Sequence, residues 1–434
     1  SMGIWSGLSL VIGTVIGSGI FFKQAGVLQT AGSSTLGLLA WVAGGVITLA
    51  AGLTIAEIGA RLPKTGGVYS YIEELYGPAA GFLTGWMQVV IYAPAVIASI
   101  AGYAAFLTAN FLGLPTSAAT WISVVFLLFI AGLNMLENRV AASFQVITTS
   151  IKLIPSAVLI IYGLFFGKVD ALGQTVHQVS QSGGGFGMAI LATLFAYDGW
   201  ILLSNIAGEL KNPRRDVPRS IVGGLILIVI AYVGVTFGVY HALPAEKVVA
   251  LQNNATFAVA KAAFGDFGGR ALSLAIIISM LGTLNGKMLS FPRMAYAMSL
   301  DGLFPKYLSK LTRKTQEPTN AIATVTIMTL VLAIFYTSGV DRLSDIAIFT
   351  IWIFYTAAFF GVFMLRRQVK QGKLEEMDTL FKTPLFPITP LVAIFGALFV
   401  IGSTVINDFT GAAISIVLVL IGLPVFYYYN KKRS

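Results

Sequence analysis

The 434 residues are 56% hydrophobic and only 11% charged, well below the ~25% charged share of soluble domains. With a mean hydropathy of +0.84, the chain reads as a polytopic helical membrane protein, and it lacks the turn-bounded alternation expected of a membrane barrel. The net charge of +10 has no soluble domain to sit on, so it is a topology signal and not a nucleic-acid footprint. The sequence contains no cysteine, which excludes disulfides, thiolate metal sites and thiol catalysis.

A spanning helix needs about 20 apolar residues. Twelve segments qualify, at approximately 6–28, 36–60, 79–108, 117–136, 141–166, 186–209, 218–241, 268–298, 319–337, 343–365, 387–404 and 411–429. The eighth is long enough to continue past the bilayer as a helix. On this count nineteen of the 28 basic residues, from Arg61 to Arg433, fall on one side. Six fall on the other: Lys23, Lys168, Lys247, Lys261, Arg270 and Arg342. Positive charge collects inside, so both termini are expected in the cytoplasm of a multi-pass cell-membrane protein. Ser1-Met2 is read as an expression remnant, and the first apolar stretch is too long and glycine-broken for a cleaved signal peptide.

The first span carries Val11-Ile12-Gly13-Thr14-Val15-Ile16-Gly17-Ser18-Gly19-Ile20-Phe21-Phe22. Each glycine in a helix interior costs roughly 1 kcal/mol relative to alanine. In lipid, irregular backbone survives only where protein covers it or a cavity adjoins it. Gly17-Ser18-Gly19 therefore reads either as a close-packing surface or as a break that yields two half-helices. In the second case the N–H groups of the second half form a seat for a carboxylate.

After the second span, Gly66-Gly67 leads into Val68–Tyr76, ended by Gly77-Pro78, which suits a short interfacial helix. In the fifth span Lys152 lies about twelve residues past the cytoplasmic start, ~18 Å along a helix. An ionisable group at that depth is functional by default, and snorkelling is its plainer alternative. The sixth span holds Phe195-Ala196-Tyr197-Asp198-Gly199-Trp200. Asp198 either caps a second half-helix or belongs to a polar pocket. Beyond it, Gly208 to Arg219 mixes charge signs and reads as a cytoplasmic rim or an ordinary solvated loop. Tyr232 lies mid-span in helix seven, and Asn285, Lys287 and Arg293 lie toward the cytoplasmic half of the eighth, where snorkelling accounts for the last two.

Breaks in spans 1 and 6 lie five helices apart, an odd number, so a second copy of the unit would be inverted. Corresponding interruptions in two halves point to a transporter site. The whole chain then forms one transmembrane domain, with repeats at about 6–166 and 186–365 and two further helices at 387–429. No phosphate-binding glycine loop accompanies them, so primary pumping is excluded for this chain, and neither a cofactor, a metal site nor enzyme chemistry is expected.

Four separated motifs carry a family likeness. Gly17-Ser18-Gly19-Ile20-Phe21, Gly66-Gly67-Val68-Tyr69-Ser70-Tyr71, Phe195-Ala196-Tyr197-Asp198-Gly199-Trp200, and Lys211-Asn212-Pro213 with Pro218-Arg219 resemble the amino acid–polyamine–organocation superfamily. Within it the chain is similar to the L-amino-acid transporter subfamily, of the bacterial alanine-serine-cysteine exchanger type. The resemblance implies a LeuT-like fold of 5+5 inverted repeats plus two helices, with helices 1 and 6 unwound. It also implies sodium-independent exchange of small neutral L-amino acids by alternating access. Carried over, the substrate carboxylate meets backbone N–H groups around Gly17, at Ser18, Gly19 and Ile20. The α-amino group meets carbonyls near Val15, Ile16, Phe195, Ala196 and Asp198. Phe195 matches an aromatic lid, Lys152 a helix-five lysine standing where sodium-coupled cousins bind a cation, and Tyr232 a helix-seven tyrosine beside the unwound stretch. At the position of Asp198 some large-substrate members carry glycine, while cation-accepting members also carry aspartate. Animal members join a glycoprotein through a cysteine between helices 3 and 4. The corresponding Asn110–Thr116 has none, so a disulfide-linked partner subunit is not expected. The alternative left open is a proton-coupled symporter of the same fold, with Lys152 losing and regaining its proton.

Overall fold

The computed structural model describes residues 3–62, 67–136, 138–177, 185–201, 211–335, 339–377 and 379–433. Gly66 and its neighbours 63–65, and the second half of the sixth span with Gly208-Glu209-Leu210, lie outside the described residues. The described chain is helical. The first expected span is divided into α1 (Ile4–Val15), α2 (Gly19–Phe22) and α3 (Gln24–Ala31). Next come α4 (Ser34–Arg61), the short α5 (Val68–Tyr76), α6 (Pro78–Met87), α7 (Ala93–Phe111), α8 (Ala119–Met135), α9 (Asn138–Phe166) and α10 (Phe186–Tyr197). The chain continues through α11 (Pro213–Ala242), α12 (Ala245–Leu251), α13 (Ala255–Leu300), α14 (Thr319–Phe335), α15 (Val340–Lys370), α16 (Ile388–Asn407), α17 (Phe409–Leu420) and α18 (Gly422–Arg433).

Among the described residues nine helical stretches are long and apolar enough to cross a membrane, and α10 and α14 are shorter apolar helices. Each of the twelve expected segments contains helix. The main shifts are at boundaries. α11 begins at Pro213, five residues early, because a proline in the first turn gives up an N–H that is unpaired there anyway. α13 reaches back to Ala255 across a kink at Gly265, whose φ of 71° a side chain would strain. The surface is apolar where α8 and α9 face outward, with Val125, Leu128, Phe129, Val146 and Phe165 exposed, a surface suited to lipid contact. Inside, α9 and α11 cross so closely that a Cβ on Gly163 would lie 2.2 Å from Gly238 Cα, the small-residue approach by which membrane helices pack.

Between α6 and α7 the backbone widens into a π turn over Gln88–Tyr92. Ala93 N–H donates to Gln88 O, five residues back, and Pro94 has no N–H to continue the ladder. π turns of this kind are frequent at functional sites.

Two ionic clusters, each built on a buried charge, pin the opposite ends of α15. At its start, Lys23 Nζ lies 3.5 Å from Asp341 and 3.6 Å from Asp345 and donates to Ser344 Oγ. Lys23, counted among the outer-side basic residues, is 2% exposed, because the turn between α2 and α3 tucks under α15. At the other end the fully buried Glu57 accepts from Arg366 at 2.6 Å and from Thr383 N–H at 2.7 Å, with Arg61 at 3.3 Å. Glu57→Ala leaves these donors unpaired in a dry site, so about 3–5 kcal/mol of stability is lost. Thermal unfolding of purified protein is expected to show a midpoint lower by roughly 10 °C; an unchanged midpoint contradicts this assignment.

Candidate functional site: two helix ends meeting at a cavity

The break in the first span lies at Ile16-Gly17-Ser18, slightly before the expected Gly17-Ser18-Gly19, and Gly19 already opens α2. Ending α1 releases carbonyls whose helical partners would lie four residues on. Side chains from other helices take them up. Gly13 O would have paired with Gly17 N–H; instead it accepts from Lys152 Nζ. Val15 O accepts from the Tyr232 hydroxyl at 3.1 Å. That hydroxyl also lies 2.8 Å from Ala196 O, a carbonyl near the end of α10, so one phenol ties the broken first span to the end of α10. Lys152 and Tyr232 are both buried. They stand behind the break and support its carbonyls; they do not line the cavity in front of it.

α10 stops because Asp198 turns to extended backbone and Gly199 takes φ 105°, a conformation that favours glycine. The two breaks then touch. Thr14 Oγ1 donates to Gly199 O at 3.3 Å, and a Cβ on Gly19 would lie 2.5 Å from Ala196 Cα. Only glycine allows this approach. Among the described residues, the N–H groups of Gly17, Ser18, Gly19 and Ile20 donate to no carbonyl. They form a bare, positively polarised helix start in the protein interior.

In front of them is a cavity with about 270 Å³ between its atoms, part of it open. Of the expected site residues, Val15, Gly17, Ser18, Gly19, Phe195 and Asp198 line it. Ile16, Ile20 and Ala196 do not, since their side chains pack into the core behind. Phe195 lies between Lys23 Nζ, 5.0 Å from its ring centroid, and the ring of Tyr103, centroid to centroid 6.0 Å. Asp198 belongs to the polar pocket, one of its two expected roles; the helix it might cap lies outside the described residues.

Several lining groups escaped sequence reading. Val96 and Ile100 of α7 and Thr283 and Lys287 of α13 complete the wall. Lys287 was read as snorkelling toward the cytoplasm. Its side chain is instead 6% exposed and lies 3.7 Å from Asp198 Oδ2. Tyr92, carried by the π turn, donates to the same oxygen and is 3.4 Å from Lys287 Nζ. The only sequence signals were a lysine deep in an apolar run and a proline two residues after Tyr92. A second cavity adjoins the first at Asp198 and runs toward α5, lined by Val68, Gln88, Tyr92, Phe291 and Tyr355 among others.

Comparison with known proteins gives this arrangement its context. Residues 2–426 match the amino acid permease family model. The chain is 43% identical to the serine/threonine exchanger SteT of Bacillus subtilis, over 100% of this chain and 97% of that protein. It is 28% identical to the human cystine/glutamate transporter, over 98% of this chain and 84% of that protein. With the mouse Asc-type amino acid transporter 1 it shares 26% identity over 98% of this chain and 80% of the relative. These are transporters, not enzymes, and the match runs through the broken first span and α10. Helical and apolar, the chain belongs to the amino acid permease family of multi-pass membrane transporters.

Proposed function

We propose that this permease is a sodium-independent antiporter exchanging small neutral L-amino acids (alanine, serine, threonine, cysteine and glycine) by alternating access. The observation that carries the reading is the bare helix start at Gly17–Ile20, packed against the end of α10 beside a partly open cavity. Every α-amino acid presents one carboxylate and one ammonium group. The carboxylate docks on the N–H groups of Ser18, Gly19 and Ile20, where the helix dipole favours an anion. The ammonium group docks on carbonyls of Val15, Ile16, Phe195, Ala196 and Asp198. Val15 O and Ala196 O both lie within hydrogen-bond reach of the single Tyr232 hydroxyl proton, and each carbonyl keeps a lone pair for the ammonium group. The apolar wall of Val96, Ile100 and Phe195 beside these groups suits a short neutral side chain. Names of relatives point the same way, since one exchanges serine and threonine and another is Asc-type.

In this reading the chain has twelve spans, two inverted five-helix repeats and cytoplasmic termini. Lys152 supplies a tethered cation beside the break, so no sodium ion is required, and Tyr232 couples the two half-helices during the cycle. The test is counter-flow. Purified protein in vesicles loaded with each amino acid in turn should take up labelled alanine from outside only when a substrate is inside, equally with and without sodium. Uptake into empty vesicles driven by a pH gradient would replace antiport by proton symport.

Phe195 closes the cavity on the Lys23 side, so Phe195→Ala is expected to raise the KM for alanine. Loss of one aromatic contact is worth about 0.5–1.5 kcal/mol, hence roughly threefold to tenfold in KM. A KM at the wild-type value removes the lid role.

A further inference from the structure

We propose that Lys23 positions the Phe195 lid and fastens it to α15, so that the cavity opens on this side only when Lys23 leaves its carboxylates. The inference rests on the transporter reading of the cavity. Lys23 is buried, and no step of that reading uses it. Four elements converge on it. Its Nζ lies 3.5 Å from Asp341 and 3.6 Å from Asp345, in the first two turns of α15, and donates to Ser344 Oγ. The same atom stands 5.0 Å from the ring centroid of Phe195, at the end of α10, and 5.8 Å from that of Tyr103 in α7. Tyr103 donates to Asp341 Oδ1 and stacks on Phe22 of α2, centroids 5.0 Å apart. One ammonium group thus joins the aromatic roof of the cavity to α15, by charge on one side and by cation–π contact on the other.

Electrostatics make this contact reversible. A buried ammonium group carries a desolvation cost that only a close counter-charge offsets. The Asp341 side chain is 64% exposed and that of Asp345 24%, so the cluster lies at the edge of the interior, one step from water. Asp345 Oδ1 is buried without a hydrogen bond among the described residues, and the charge of Lys23 compensates it. When the lid swings out, all three groups hydrate, and the desolvation cost disappears together with the attraction. A small free-energy difference then decides between closed and open. Without the positive charge the closed cluster is two carboxylates one helical turn apart, which repel and are relieved by opening. Without the negative charges Lys23 is stranded in a dry site, with the same result.

The experiment exploits the absence of cysteine from the chain. A single cysteine replaces Val96, which lines the cavity. Its labelling by a charged, membrane-impermeant thiol reagent is followed from outside intact cells, the Lys23 side on the proposed topology. In the otherwise wild-type chain labelling should be slow. Lys23→Met keeps the length of the stem without its charge and should speed labelling by about tenfold, the shift that roughly 1.4 kcal/mol produces. The double variant Asp341→Asn/Asp345→Asn should do the same, whereas Lys23→Arg keeps the charge and should label more slowly than Lys23→Met. An unchanged rate in Lys23→Met overturns the proposal. Should that variant not reach the membrane, an unchanged rate in the double aspartate variant overturns it equally. A second reporter separates opening from unfolding: Ala393→Cys replaces a fully buried residue of α16 and should stay unlabelled throughout. Equal acceleration at both positions is unfolding and overturns the latch. Failure of the wild type to exchange alanine would instead sink the antiport reading, a separate outcome, since labelling requires no exchange.

Discussion

Gly19→Val is expected to abolish alanine counter-flow, a loss of at least about 100-fold. A Cβ at this position would stand 2.5 Å from Ala196 Cα, 2.8 Å from Ala196 Cβ and 3.0 Å from Ala196 N. Two of these atoms are backbone, so no rotamer change relieves the clash; α2 must retreat from α10. Retreat displaces the bare N–H groups at Ser18, Gly19 and Ile20 from the cavity they edge, and overpacking of this kind costs about 1–3 kcal/mol or more. Valine adds two methyl groups over the bare helix start and blocks a carboxylate directly. Gly19→Ala separates the effects, since it keeps the clash but leaves the seat open, and should show a smaller loss. Gly223→Ala is the control: its Cβ would meet only Leu8 Cδ1, at an ordinary 3.7 Å, and counter-flow should stay at the wild-type rate. Wild-type exchange by Gly19→Val would show that the two half-helices need not touch.

Lys152→Ala is the second large effect. Its ammonium group is 1% exposed and takes the place of the N–H that Gly13 O lost when α1 ended. Truncation leaves a buried carbonyl without a partner, a cost of about 1–3 kcal/mol, and opens a void where the lysine stem lay. The break is then free to relax toward continuous helix, which removes the carboxylate seat. Counter-flow should fall by at least about tenfold at every substrate concentration. Full exchange by Lys152→Ala would end its assignment as the support of the break.

Some of this was legible in the sequence because its cause is local. Three glycines in seven positions of an apolar run made a break one of two readings of the first span, and Asp198-Gly199 marked an interruption where α10 ends. A backbone that cannot remain helical says so in its own residues. Lys152 was legible because a charge so far from either boundary has few bland explanations. Lys287 was misjudged, and the burial of Lys23 went unread, because sequence gives a residue's depth along a helix but not the face it points from. Tyr92 is 195 residues from Lys287, Lys23 is 321 from Ser344, and no local pattern links them.

The sequence alone therefore determined the class of the molecule, the places of its helices and the two points where they fail. Hydropathy and backbone conformation are properties of neighbours along the chain. Only the tertiary structure decided which groups satisfy the freed carbonyls and which charges cancel. In an interior without water every such group must find a protein partner, and those partners come from segments distant in sequence that only the packed helices bring together.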